Sequence, residues 1–358
     1  MLSRKFDGIV KNALGVALLS LLNMVCGSDA RCQSASPSDT KLKELHGGIE
    51  ISLRAVRAIA LRVSTSAEGD NIKILSYDQL TPSTALLRDD KPTSEYIHDL
   101  AQTVQKLSEK MQRFFQIPPN QIHLLGLSEL AGQVRDDLAR EVRDKTGKEI
   151  TFLDAKGEME LSIAGSIPRR YQLDGKWYDN RTVSLFLDIG ATNIRGGYQR
   201  LRQASYGRAE YDYVTWETPI KGSLRAKAVQ NAGLMTRKKV YLTGSIVWAL
   251  TTLLYPEDQK AYVPLTMEDI NNFYFRARTD PKALLNSDLS KIRDENTRNE
   301  ARKDREAIKT IYTPKALGDG AKALKAASSE MNLAGKRLIF ARNSNQARIL
   351  SYVRLQIE

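Results

Sequence analysis

The chain has 358 residues, 42% of them hydrophobic and 27% charged, enough apolar material for two proper cores, which excludes a largely disordered protein. Lys and Arg number 54 against 42 Asp and Glu, a formal charge of +12, so the partners that electrostatics favours are polyanions such as nucleic acid, anionic membrane or polyphosphate. The charge is dispersed, without an arginine-rich block or a basic stripe interleaved with aromatics, which argues against specific nucleic-acid recognition.

In chain order, Arg4, Lys5 and Lys11 precede an apolar stretch over 13–25 that has the length of a signal core and is short for a bilayer span. Small residues Ser28 and Ala30 follow, and the pattern predicts a secretory signal over 1–30, cleavage after Ala30 and a linker over 31–45. The expected product is secreted or periplasmic and keeps no stable membrane span. An uncleaved anchor helix is the alternative, and Val25 before Cys26 opposes lipid attachment there. Both cysteines, Cys26 and Cys32, lie in or beside this segment, so the folded body offers no disulfide framework and no thiolate. His46, His98 and His123 are scattered and lack the HExxH spacing of a zinc site.

The run "GIEISLRAVRAIALRVS" predicts a hairpin that turns near Leu53 and Arg54. Residues 96–115 place Ile97, Leu100, Ala101, Val104, Leu107, Met111 and Phe114 at helical spacing, and "IPPN" ends the helix. "QIHLLGLS" reads as a buried strand containing His123, "ELAGQVRDDLAREVRDKTG" as a second amphipathic helix capped by Gly147, and "EITFL" as the next strand of a βαβ unit. Glu158 and Glu160 follow, flanking what reads as a turn. Near the C-terminus, "SDLSKIRDENTRNEARKDREAIK" mixes charge signs at helical spacing and predicts a solvated helix. The tail over 266–358 reads as helical, with a corner at Tyr312 to Pro314, Gly318 and Gly320.

The order of elements through "GLSELAGQVRDDLAREVRDKTGKEITFLDAKGEMELSIAG" resembles the exopolyphosphatase and guanosine-pentaphosphate phosphatase family. "IEISLRAVRAI" stands where that family has its first phosphate loop, Asp-x-Gly-Ser-Asn-Ser-x-Arg. "LDIGATNIRGG" stands where its second, Asp-x-Gly-Gly-Gly-Ser-Thr-Glu, belongs, while "PIKGSLR" and "VYLTGSIVWAL" fit later landmarks. The resemblance implies an α/β, two-domain actin-like ATPase (ribonuclease H-like) fold with an interdomain cleft, domain I over 46–165 and domain II over 166–358.

The resemblance also assigns roles. Glu158, counted back from Gly165, stands where the family keeps the glutamate that activates water. Phosphate binding falls to Arg57, Arg54, Asp188, Gly190, Thr192, Asn193, Arg195 and Gly244, and metal binding, as Mg2+, to Glu50 and Asp188. The chain departs from the pattern at both loops. Glu50 and Ser52 replace the first loop's acid and glycine, Leu53, Arg54 and Ala55 replace Ser-Asn-Ser, and Arg195 stands where the second loop has its glutamate. That last change reverses a charge and puts Mg2+ in doubt, because an arginine repels a cation. The implied function is hydrolysis of terminal phosphoanhydrides of polyphosphate or a (p)ppGpp-type nucleotide; a homodimer is compatible with it. The alternative is a non-catalytic relative that binds a polyanion or a protein. "DIGATNIRGG" also resembles the first loop of sugar kinases in the same superfamily, although there it opens the domain, whereas here a hairpin and a βαβ unit precede it.

Overall fold

The computed structural model describes residues 43–53, 55–66, 69–80, 87–88, 91–168, 170–173, 176–190, 193–202, 210–219, 236–342 and 344–357. The predicted signal, Arg54 and Thr192 lie outside them. Among the described residues no helix is long and apolar enough to cross a membrane.

The first sheet is built on the predicted hairpin. Strand β1 (Lys43–Ile51) turns back into β2 (Val56–Ser66), the turn being closed by Ser52 N–H donating to the Ala55 carbonyl at 3.0 Å. A third strand, β3 (Gly69–Leu80), extends the meander, which the sequence reading did not place. Helix α1 (Ser94–Phe115) begins at the Thr93 cap and ends where Gln116 takes a left-handed conformation before the two prolines. Its predicted apolar face is buried except at Phe114, which is 77% exposed. Strand β4 (Ile122–Gly126), helix α2 (Gln133–Thr146) and strand β5 (Ile150–Phe152) complete the βαβ unit, with Gly147 at φ 68° as the helix C-cap. The five strands lie in the order β3-β2-β1-β4-β5, with β1, β4 and β5 parallel.

Residues around Glu158 form a helix rather than the expected turn. In α3 (Ala155–Ser166) the Asp154 carboxylate accepts the Gly157 N–H at 2.6 Å, so the acid that reads as a turn residue starts a helix. A small hairpin, Arg170–Leu173 with Lys176–Asp179, leads to the second sheet.

There, β6 (Ser184–Ile189), β7 (Asn193–Arg202) and β8 (Glu210–Pro219) repeat the antiparallel meander. Strand β9 (Lys239–Thr243) is followed by α4 (Ser245–Leu254), β10 (Tyr262–Leu265), α5 (Met267–Thr279), α6 (Pro281–Leu285), α7 (Glu295–Ile311) and α8 (Pro314–Glu330). Strand β11 (Arg337–Ala341) and helix α9 (Ser344–Ile357) end the chain. The strand order is β8-β7-β6-β9-β11-β10.

Helix α7 is the predicted solvated helix, with Ala301 and Ile308 its buried residues. Two expectations for the tail are corrected. The corner at Tyr312 to Pro314 is the break between α7 and α8, where Thr313 caps α8 and Pro314 opens it, but Gly318 and Gly320 lie within α8 instead of at the corner. The tail is also not purely helical, since "RLIFA" inserts between β9 and β10 as a buried strand.

Helices α1 and α2 cover one face of the first sheet through Leu100, Val104 and Leu138 against Ile49 and Leu124. On its other face, Ile349 and Val353 of α9 pack against Ile59 and Leu61. Helix α3 rests on the second sheet through Met159 and Ile163 against Phe186 and Tyr241. α3 and α9 thus form a shared layer between the sheets. Glycines set its thickness: a Cβ at Gly165 would lie 2.0 Å from the Ala347 carbonyl oxygen, and one at Gly48 would lie 2.6 Å from Val353.

Gly165→Ala tests this spacing. The gain in helix propensity is about 1 kcal/mol, whereas overpacking against backbone costs about 1–3 kcal/mol, so a net loss of stability is expected. Urea unfolding should show a lower midpoint; an unchanged or higher midpoint contradicts the close packing.

Candidate functional site

The two hairpins carry the same device. Glu50 on β1 lies directly opposite Arg57 on β2, and Asp188 on β6 lies directly opposite Arg195 on β7; each acid and its arginine are 7 residues apart. Both pairs are hydrogen-bonded, Arg57 Nη1 donating to Glu50 at 2.7 Å and Arg195 Nη2 to Asp188 at 2.9 Å. Arg57 is further fixed by its Nε, which donates to Gln79 of β3 at 3.1 Å.

Glu158 joins the two devices, through a residue that the sequence reading missed. Arg348 of α9 donates from Nε and Nη2 to the two oxygens of Glu50, at 2.8 and 3.1 Å. Its Nη1 stands 3.6 Å from Glu158, and Arg195 Nη1 stands 3.5 Å from the same carboxylate oxygen. The result is an alternating chain, Arg57–Glu50–Arg348–Glu158–Arg195–Asp188, with three positive and three negative side chains. Glu50, Glu158 and Asp188, remote in sequence, are therefore brought together. The other oxygen of Glu158 accepts the backbone N–H of Ser128, in the loop after β4.

Exposure is graded along the chain. The Glu50 side chain is fully buried and that of Glu158 is 5% exposed, while those of Arg57, Asp188 and Arg195 are 21%, 24% and 33% exposed. Burial alone pushes the Glu50 carboxyl up, but the charges and hydrogen bonds of Arg348 and Arg57 together outweigh it, and the net direction is down. Burial likewise opposes the charge on Arg348, and Glu50, followed by Glu158 and Asp188, holds that guanidinium firmly protonated.

The remaining predicted residues fall nearby. Gly190 N–H closes the second hairpin on the Asn193 carbonyl at 3.0 Å, and a Cβ there would meet Asn193 at 2.7 Å. The Asn193 side chain is turned to Glu217. Gly244, at φ 102°, caps α4 and lies so close to the end of β6 that a Cβ would meet the Ile189 carbonyl oxygen at 2.3 Å. Arg54 and Thr192 are outside the described residues. Glu160, on α3, pairs with Lys156 at 3.6 Å. His98 pairs with Glu141 on the polar side of α1, and His123 stacks on His46 with ring centroids 6.1 Å apart.

Sequence reasoning also missed Glu129, whose carboxylate accepts the Leu53 N–H at 2.7 Å and so occupies a backbone donor of the first turn. A cavity of about 660 Å³ lies elsewhere, lined by α3, α9 and the β7–β8 ribbon, including Leu161, Gln199, Tyr213 and Leu350, and by none of the six charged residues.

The donor set does not fit the divalent cation that the resemblance implies. Both Glu50 oxygens are taken by guanidinium groups, Asp188 is bonded to Arg195, and three arginines stand among the three acids. Among the described residues no group of three or more His, Cys, Asp or Glu side chains is arranged to hold a metal.

No family model and no curated protein sequence matches the chain. Solved structures do. A Ppx/GppA family member from Aquifex aeolicus superposes with a TM-score of 0.59 at 11% identity, covering 88% of this chain and 99% of that one. An exopolyphosphatase from Cytophaga hutchinsonii gives 0.53 at 12% identity over 87% and 98%. The type II variant of the Aquifex aeolicus Ppx/GppA phosphatase gives 0.52 at 11% identity over 86% and 99%. These likenesses give the class of fold: a mixed α/β architecture with two sheet regions that resembles the actin-like, ribonuclease H-like fold.

Removing Arg348 should expose how far Glu50 depends on it. Arg348→Met leaves a fully buried carboxylate with Arg57 as its remaining charged partner, and a loss of about 3–5 kcal/mol is expected. Adding Glu50→Met should recover part of it in a double-mutant cycle. The Glu50 contribution is fully present above its ordinary carboxyl value of 4.5 and is lost as pH falls through its depressed folded value. Unfolding measured against pH should therefore show a decline on the acid side of that value, and Glu50→Gln should flatten it. Additive losses in the cycle, or an unaltered acid limb in Glu50→Gln, contradict the pairing.

Proposed function

We propose that the charged chain joining the two hairpins is a phosphohydrolase site that cleaves terminal phosphoanhydrides of polyphosphate or of a (p)ppGpp-type nucleotide. Supporting this is the position of Glu158, a buried carboxylate held between the acid–arginine pairs of two hairpins. In this reading Glu158 takes a proton from water as the water oxygen bonds to the terminal phosphorus. The bridging P–O bond breaks and its electron pair leaves with the shortened chain. Arg195 and Arg348 stabilise the charge on the phosphoryl oxygens. Gly190 and Gly244 let backbone approach closely at the second hairpin.

Glu158 is the loosest member of the alternating chain. Its contacts to arginine, at 3.5 and 3.6 Å, are outside good hydrogen-bond range, whereas the pairs at Glu50 and Asp188 are at 2.7–3.1 Å. A phosphoryl anion that engages both arginines leaves this carboxylate less encumbered as a base.

A second reading, a non-catalytic polyanion- or protein-binding relative, has its own support. The first turn lacks glycine, its Leu53 N–H is occupied by Glu129, and the six charges neutralise one another. The two readings part on a single assay of phosphate release from long-chain polyphosphate, pyrophosphate, guanosine pentaphosphate and ATP. Hydrolysis of one of these, reduced about 10²–10⁴-fold in Glu158→Gln, is the expected outcome. Undiminished turnover in that variant excludes Glu158 as the base, and no turnover by the unmodified protein moves the assignment to the binding reading.

A further inference from the structure

We propose that this charged chain takes a polyphosphate-type anion without a divalent cation, Arg195 and Arg348 exchanging their contact with Glu158 for oxygens of the ligand. The phosphohydrolase reading supplies only the class of ligand; the mode of binding rests on the charged chain itself.

A condensed phosphate carries several negative charges, and a site built on acids must neutralise them with a metal. Here fixed guanidinium groups stand where that metal would sit. Arg195 replaces the carboxylate that the second hairpin would contribute, and Arg348 enters from a different element altogether, the C-terminal helix. Both converge on one oxygen of Glu158. A Mg2+ ion placed among these acids would have to displace the arginines that already engage the carboxylates of Glu50 and Asp188 at 2.7–3.1 Å before it gained ligands. The chain is neutral as a whole, so an anion gains where it takes over the loosely held guanidinium edges, those 3.5 and 3.6 Å from Glu158.

The order of exposure gives that anion an approach. The most open side chain is Arg195 at 33%, followed by Asp188 at 24%, Arg57 at 21% and Arg348 at 15%, while Glu158 and Glu50 are buried, so an anion approaches at Arg195. The firm pairs, Arg348 with Glu50 and Arg195 with Asp188, hold each guanidinium in place while one edge turns toward Glu158 at long range. Exchange at those long contacts leaves the firm pairs intact. The arginines are thus pre-oriented, which lowers the ordering cost of binding. Glu158 is thus an internal competitor for the ligand.

Isothermal titration of the EDTA-treated full chain with sodium tripolyphosphate, with and without added magnesium, tests this. Binding should be present in EDTA and change by less than about threefold on adding magnesium, a difference under 1 kcal/mol. Arg195→Met should weaken binding about tenfold or more, and Arg348→Met likewise provided that it remains folded by circular dichroism. Glu158→Gln should bind as tightly or more tightly, because the competitor loses its charge. Binding seen only with magnesium, binding strengthened more than about tenfold by it, weaker binding in Glu158→Gln, or no binding by folded protein each overturns the proposal. Phosphate release measured on the same samples separates the two claims. Metal-free binding without turnover sinks the hydrolase reading alone, and turnover accompanied by binding that is seen only with magnesium sinks this proposal alone.

Discussion

A carboxylate with no exposure to solvent cannot stay ionised without compensation, and Glu50 is such a group. Transferring a carboxylate from water to a protein interior costs several kcal/mol even after relaxation. One cross-strand arginine supplies part of the offset, but Arg57 meets a single oxygen of Glu50. Arg348 meets both. Its donors reach them only if α9 lies close on β1, and Gly48 provides that closeness because any side chain there would run into Ile349 and Val353. The same helix must fit against α3, where Gly165 leaves room for the Ala347 backbone. Electrostatics at one residue and steric fit at two glycines therefore fix the layer between the sheets.

The repeated geometry of the two hairpins gives this layer two matching devices to join. In each, an acid on the first strand faces an arginine on the second, and the strand pairing sets their distance without help from the rest of the fold. α3 and α9 then link the devices through Glu158 and Arg348. Neither device alone makes a site. The first turn lacks glycine and has Leu53 N–H engaged by Glu129, so the donors available for an anion gather toward the second hairpin and α9.

What was legible in the sequence follows from the range of the interactions. The β1–β2 hairpin, helix α1 and the Gly147 cap are local patterns of alternation, helical spacing and positive φ, and each was readable within about twenty residues. The segment before Glu158 misled because Asp and Gly mark turns and helix starts alike; the choice was made by Asp154 capping Gly157, which requires the helix to be packed on Phe186 and Tyr241. Phe114 fits the apolar spacing of α1, but at the last turn Phe115 takes the place against the core and Phe114 is left 77% exposed. "RLIFA" is five residues long, too short for periodicity to separate strand from helix, and its place between β9 and β10 is a tertiary choice.

Arg348 was not legible at all, since it lies 298 residues from Glu50 and is one arginine among many in a basic chain. The family resemblance located the acids and Arg57 by alignment to motifs, yet it had no motif at the C-terminus with which to find their strongest partner. A charge balance would have given the signal: Glu50 on an apolar strand, with Arg57 beside it and Glu158 expected in the same cleft, leaves a buried excess of negative charge. The missing cation is either a metal or a side chain. With Arg195 on the second hairpin, the chain has already committed one cation to this place in covalent form, and Arg348 is the same solution applied from another element to the same oxygen of Glu158.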